Sequence, residues 1–176
     1  MKYLAALVVL AAPVPASAEV VSAAANGFDV HGTVDLTAAP DAAWSSFGAI
    51  GAWWDPAHSY SGKAENLTLS LKPGGCFCER LPGGGGVEHL HVTYVDPGKH
   101  HVIFTGALGP LLNMATIGVL DVQVKPAASG SQLTYDYRVA GFASGGADKL
   151  APLVDSVLAA QMQRYRAYAA GQAGGS

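Results

Sequence analysis

Cys76 and Cys78 stand two residues apart, and so do His89 and His91 further along the chain. Side chains alternate across a β-strand, so each pair shares one face if residues 76–81 and 87–95 form the arms of a hairpin. One register sets Cys78 opposite His89 and Cys76 opposite His91. That gathers two thiols and two imidazoles, donor types suited to zinc or copper. A slip of one residue sets Glu79 opposite His89 and separates the two sets. Four donors on one face of a regular hairpin lie nearly in a plane, whereas zinc takes a tetrahedron with bonds of about 2.0–2.3 Å. The expectation is therefore no metal site at Cys76, Cys78, His89 and His91. The cysteines are then small apolar-like side chains under the sheet, and the histidines lie on the surface. A Cys76–Cys78 disulfide needs a bulge, because Cα atoms two apart in a regular strand are roughly 6.6 Å apart, at the limit for bridging.

Glu79 and Glu88 flank the hairpin loop beside Arg80. Paired carboxylates do acid–base work when an apolar site raises one pKa, but an exposed turn predicts solvated side chains. His100 and His101 follow a turn and read as solvated too. No nucleophile–base motif is recognisable. Gly83 to Gly86 leads into Val87 and Glu88 rather than Lys and Ser or Thr, so it is not a phosphate-binding loop. No cofactor is implied, and the absence of a catalytic motif favours binding over catalysis.

The aromatic residues carry more. Trp53, Trp54, Tyr60, Tyr94, Tyr135 and Tyr137, with Leu153 and Val157, are the candidate ligand-binding residues, suited to wall a cavity where the fold encloses one. Buried tyrosine hydroxyls need partners and can hold the polar end of an otherwise apolar ligand.

These residues need a scaffold. Residues 28–36 alternate apolar and polar, as a half-buried strand does. Pro40 and Asp41 open a short helix with Asp41 as a plausible cap, and Trp53-Trp54-Asp55-Pro56 follows at a bend. Short strands then succeed one another at residues 67–71, 76–81, 87–95, 100–108, 114–125 and 132–139, with turns such as Asp96-Pro97-Gly98 between them. Leu150, Leu153, Val154, Val157, Leu158, Met162, Tyr165 and Tyr168 recur at helical spacing, predicting a long amphipathic helix with Asp148 as N-cap and Gly171 at its end. The apolar loop of residues 106–112 is suited to cover a cavity mouth, meet a partner or fold onto that helix. Short turns make the sheet antiparallel, and the architecture is α+β.

The N-terminus has the form of a secretory signal peptide: Lys2, an apolar run over residues 4–12, Pro13 and Pro15, then Ala16-Ser17-Ala18. The run is too short to span a bilayer. The expectation is export to the periplasm or beyond, with cleavage after Ala18. One domain then covers residues 19–176, with a frayed tail over 170–176 and no integral membrane segment. Half of the residues are apolar, 13% are charged and the net charge is -3. A weakly acidic chain with no basic cluster argues against nucleic acid as a partner. The implied partner is a small apolar molecule, and the sequence names no protein partner.

The chain resembles the SRPBCC superfamily of START-like, helix-grip proteins. The carriers are Trp53-Trp54-Asp55-Pro56, Pro73-Gly74-Gly75 with Phe77, the stretch from Val92 to Asp96-Pro97, and the terminal helix. The Gly-Gly-x-Phe and Asp-Pro elements are similar to the branch related to polyketide cyclases and heat-shock ATPase activators. The resemblance implies a curved antiparallel sheet wrapped around a long C-terminal helix, two short helices after the first strand, and an apolar cavity between sheet and helix. Such folds serve carriers, cyclases and hydratases alike, so the fold does not fix the activity.

Overall fold

The computed structural model describes residues 17–173; the apolar run of the expected signal peptide lies outside them. Two strands come first, β1 (Ser17–Ala24) and β2 (Gly27–Leu36), followed by two short helices, α1 (Pro40–Gly48) and α2 (Ile50–Trp53). Six strands follow: β3 (Leu67–Leu69), β4 (Cys76–Arg80), β5 (Gly86–Asp96), β6 (His101–Gly106), β7 (Ala115–Pro126) and β8 (Ser131–Phe142). The long helix α3 (Ala151–Ala173) ends the described chain. All neighbouring strands are antiparallel, in the order β1-β2-β8-β7-β6-β5-β4-β3. This is the expected α+β helix-grip architecture, with one strand, β1, added ahead of the predicted first. Ser17 and Ala18, at the expected cleavage site, open β1, and Ala18 pairs with Gly32. Among the described residues no helix is long and apolar enough to cross a membrane.

Strict alternation makes β2 and β8 half-buried, with Val30, Val34, Leu133 and Tyr137 facing the core. Helix α3 packs on that face against β1, β2, α1 and α2. Its buried stripe is Ala151, Leu158, Gln161, Met162, Tyr165 and Ala169. Leu153, predicted on the apolar stripe, is 56% exposed, and Val157 is only half-buried. Leu158, Met162 and Tyr165 hold the stripe as expected, and Ala151, Gln161 and Ala169 complete it. Helix α3 also continues through Gly171. Two predicted caps fall elsewhere. Ala39 occupies the N-cap of α1 with Pro40 in its first turn, and Asp41 instead accepts from His100 Nε2 at 2.7 Å. Asp148 lies in a short 3-10 turn before α3.

Two β-bulges break the alternation of β5. Cys78 pairs with Glu88 while Phe77 pairs with Leu90, so His89 is the extra residue. Further along, Val92 pairs with Phe104 and Tyr94 with Ile103, so Thr93 is extra. A bulge bends its strand and re-aims the side chains beyond it.

Candidate functional site

Between the inner face of the sheet and α3 lies a cavity of about 30 Å³, walled by residues that include Phe47, Trp53, Trp54, Phe77, Leu158 and Met162. The wall is apolar throughout apart from Tyr135. The helix α2 and the turn after it place both tryptophans. Trp53 Nε1 donates to the Phe47 carbonyl at 3.3 Å and Trp54 Nε1 to the His58 carbonyl at 3.0 Å. Their rings therefore face the core with the polar ends satisfied, as buried indoles require. Rings continue outward from there: Phe47 to Trp53 at 5.7 Å, Trp53 to Tyr165 at 5.2 Å, and Trp54 to Phe77 at 5.1 Å. Gln161 pins the bend, accepting from the Asp55 N–H at 2.9 Å and meeting His58 Nδ1 at 3.0 Å. Arg164 Nε donates to the Trp53 carbonyl at 3.0 Å.

Tyr135 and Tyr137, neighbours on the inner face of β8, differ. Tyr137 is fully buried, and its hydroxyl accepts from the Leu108 N–H at 3.1 Å and donates to the Gly106 carbonyl at 3.4 Å. Burial pushes it up to about 12, against the lowering effect of the Leu108 bond. It braces the loop after β6 and is not a wall residue. Tyr135 is a wall residue, and its ring lies over Gly32, where a β-carbon would come within 2.3 Å of the hydroxyl. Only a glycine leaves room for that ring. Among the described residues the buried Tyr135 hydroxyl has no hydrogen-bond partner. Burial, with a smaller contribution from the charge of Asp155, drives its pKa upward, so the phenol stays protonated.

Of the predicted wall, Trp53, Trp54 and Tyr135 line the cavity, whereas Tyr60, Tyr94, Tyr137, Leu153 and Val157 do not. Tyr94 is turned to the exterior by the second bulge, where it packs on His101. Tyr60 is 46% exposed, and its hydroxyl donates to the Gly109 carbonyl at 2.9 Å. That bond ties the segment after α2 to the loop after β6. Leu108 of this loop lines the cavity and Leu111 is buried, so the apolar loop does cover the core.

The sequence reading places Glu79 and His89 on the surface; the structure buries both. The first bulge turns His89 inward beside Leu90, and its Nε2 lies 3.0 Å from Oε2 of Glu79. Glu79 also accepts from the backbone N–H groups of Tyr60, at 3.0 Å, and Ser61. The imidazole stacks on Phe77, a wall residue, at 4.6 Å, with Tyr60 on its other flank at 5.8 Å. Burial alone would raise the Glu79 pKa, but the hydrogen bonds from Ser61, Tyr60 and His89 outweigh it and lower it. Burial lowers His89, and the attraction of Glu79 only partly offsets this. A neutral imidazole donating Nε2–H to a carboxylate leaves Nδ1 as a base.

The outer face of the same hairpin holds Cys76 and Cys78, joined in a disulfide across a Cα–Cα distance of 5.4 Å. The expectation of two unlinked cysteines is thereby overturned. The bulge beside Cys78 is the local distortion that a bridge between residues two apart requires. It also dissolves the expected quartet, since His89 points inward while His91 stays outside with its Nδ1 3.1 Å from Glu88 Oε1.

No family model matches the sequence, and no curated protein matches it. Solved structures do. An uncharacterized protein from Rhizobium leguminosarum aligns with a TM-score of 0.59 at 17% identity over 89% of this chain and 98% of that one. The di-domain ARO/CYC StfQ of the steffimycin biosynthetic pathway aligns at 0.57 and 14% identity, over 85% of this chain and 52% of that one. The major latex-like protein 151 of Panax ginseng aligns at 0.54 and 14% identity, over 81% and 97%. Fold and similarity together define a helix-grip fold of the START-like kind, a curved antiparallel sheet and a long C-terminal helix with an apolar cavity between them.

Proposed function

We propose that this protein is an exported binder of a small apolar or aromatic compound, held between the sheet and α3. The observation that carries this reading is the apolar, aromatic-rich cavity between the sheet and α3, to which Tyr135 contributes its ring. Pockets for drug-sized ligands measure about 300–1,000 Å³, so binding such a ligand requires this cavity to open. Export rests on the N-terminal sequence pattern, and N-terminal sequencing of secreted protein should begin at Glu19. For binding, anilinonaphthalenesulfonate should gain fluorescence, quench the tryptophans and raise the melting temperature. Met162→Trp, which fills the cavity, should abolish all three effects while the fold persists. Equal binding by Met162→Trp would place the probe elsewhere and defeat the proposal.

A second reading, an acid–base enzyme of the cyclase or hydratase type, is favoured by one observation: the Glu79–His89 pair directly behind the wall residue Phe77. The ARO/CYC neighbour lends it support by analogy of fold. Turnover of a bound compound that vanishes in His89→Gln, with binding retained, would establish it over simple carriage.

A further inference from the structure

The outer face of the β4–β5 hairpin, opposite the cavity, carries a second constellation. Cys76 pairs across the strands with His91 and Cys78 with Glu88. The two Sγ atoms and a carboxylate oxygen of Glu88 all lie within 4.8 Å of one another. His91 stands next to this three-donor group, its Nδ1 3.1 Å from Glu88 Oε1. Both cysteines are half-buried, while Glu88 and His91 are exposed. The bulge has thus set Glu88, in place of His89, beside the two sulfurs.

We propose that the dithiol form of this hairpin is a binding site for a thiophilic d10 cation such as zinc(II), formed by Cys76, Cys78, Glu88 and His91 and closed off by the disulfide. In tetrahedral zinc sites the donor atoms stand about 3.3–3.8 Å apart, given bonds of about 2.0–2.3 Å. The Glu88–His91 contact, at 3.1 Å, is close to that separation, and breaking the disulfide frees the two sulfurs to part toward it. Charge argues the same way. Two thiolates beside a carboxylate repel one another, and a divalent cation relieves that repulsion while imidazole completes the shell.

The chemistry balances without further partners than a dithiol reductant. The reductant's two thiols become its disulfide, and the two electrons and two protons they release convert Cys76–Cys78 into two thiols. Zinc then displaces both thiol protons to solvent and takes the thiolates as ligands. Metal loading and disulfide formation compete for the same sulfurs, so each opposes the other.

The test uses the full exported chain in both redox forms, with zinc(II) as the titrant and cobalt(II) as the spectroscopic probe. The dithiol form should take up one equivalent of zinc about a hundredfold more tightly than the disulfide form. Cobalt should give a thiolate charge-transfer band, and bound zinc should slow re-oxidation by oxidised glutathione. Glu88→Ala and His91→Ala, at exposed positions, should each weaken zinc binding about tenfold with the melting temperature of the metal-free protein unchanged. Three results would overturn the proposal: equal affinity in the two redox forms, no loss in either variant, or a disulfide that no dithiol reduces while the protein stays folded.

Discussion

Because Cys78 pairs with Glu88 across the hairpin, His89 is left over in β5, and its Nε2 turns inward to meet Oε2 of Glu79 at 3.0 Å. Glu79 is thereby the acceptor for three donors from two separate segments: His89, and the N–H groups of Tyr60 and Ser61. One carboxylate both orients an imidazole and holds the chain segment that carries the Tyr60 tie.

Removing that carboxylate should be costly. Glu79→Ala leaves the buried His89 Nε2–H and the part-buried N–H groups of Tyr60 and Ser61 without their acceptor, and one unsatisfied buried donor alone costs about 1–3 kcal/mol. Urea denaturation should register a loss of that order. Glu88→Ala, across the hairpin and exposed, should stay within about 0.5 kcal/mol of the parent. Equal losses would mean that Glu79 is solvated.

The same pair sets a response to acid. His89 has a lowered pKa when folded, so below about its ordinary value of 6.5 the unfolded chain binds a proton that the folded chain refuses. Glu79 is also lowered, and does the same from about 4.5 downward. In both windows the unfolded state holds more protons, so stability falls as pH falls. The denaturation midpoint should begin to drop near pH 6.5 and drop further below 4.5. In His89→Gln the first phase should disappear. A midpoint that rises between pH 7 and 5 would contradict this account.

Asp155 works in the opposite direction. Burial, and then the nearby charge of Glu19, raise its pKa above the ordinary 3.8. As pH rises through that interval the folded chain must give up a proton that the unfolded chain has already lost, so stability declines. One of its oxygens is buried without a partner. Asp155→Asn removes the charge at constant shape and should raise the melting temperature at pH 7, with the gain fading toward pH 3. No gain at pH 7 would show the carboxylate to be paired in solution.

How much of this was legible beforehand follows from what periodicity can encode. The alternation of residues 28–36 and 132–139 fixed β2 and β8 and the inward direction of Tyr135. Bulges leave no such trace, because an inserted residue looks like any other in the string. His89 and Tyr94 were each misplaced by one bulge, and the disulfide and the Glu79 pair became visible only once the bulge was. The terminal helix was recognisable as a helix, but hydrophobicity pointed to Leu153 over Gln161. The latter is buried because it has hydrogen-bonding work at the Trp53–Trp54 bend, a reason that lies in another part of the chain.

The face of α3 can be tested by substitution. Leu158 is buried against the cavity, and Leu→Ala at such sites costs about 2–5 kcal/mol. Leu153, more than half exposed, should lose no more than about 0.5 kcal/mol on the same change. Thermal denaturation of the two variants in parallel checks the order, and its reversal would turn the helix around.

Gln161 offers the sharpest check on how the cavity wall is held. Its side chain is fully buried, takes the Asp55 N–H and meets His58, whose carbonyl in turn receives Trp54 Nε1. Gln161→Leu keeps the volume roughly constant but strands the Asp55 N–H, a loss of about 1–3 kcal/mol. The effect should reach further than stability. With the bend released, Trp54 can rotate toward solvent, so tryptophan emission should shift to the red and the affinity for an apolar fluorophore should change. Gln161→Glu retains an acceptor for the Asp55 N–H and should keep the blue emission at neutral pH. A Gln161→Leu protein with unaltered emission and unaltered binding would show that the bend is held by the Arg164–Trp53 bond and by ring packing alone.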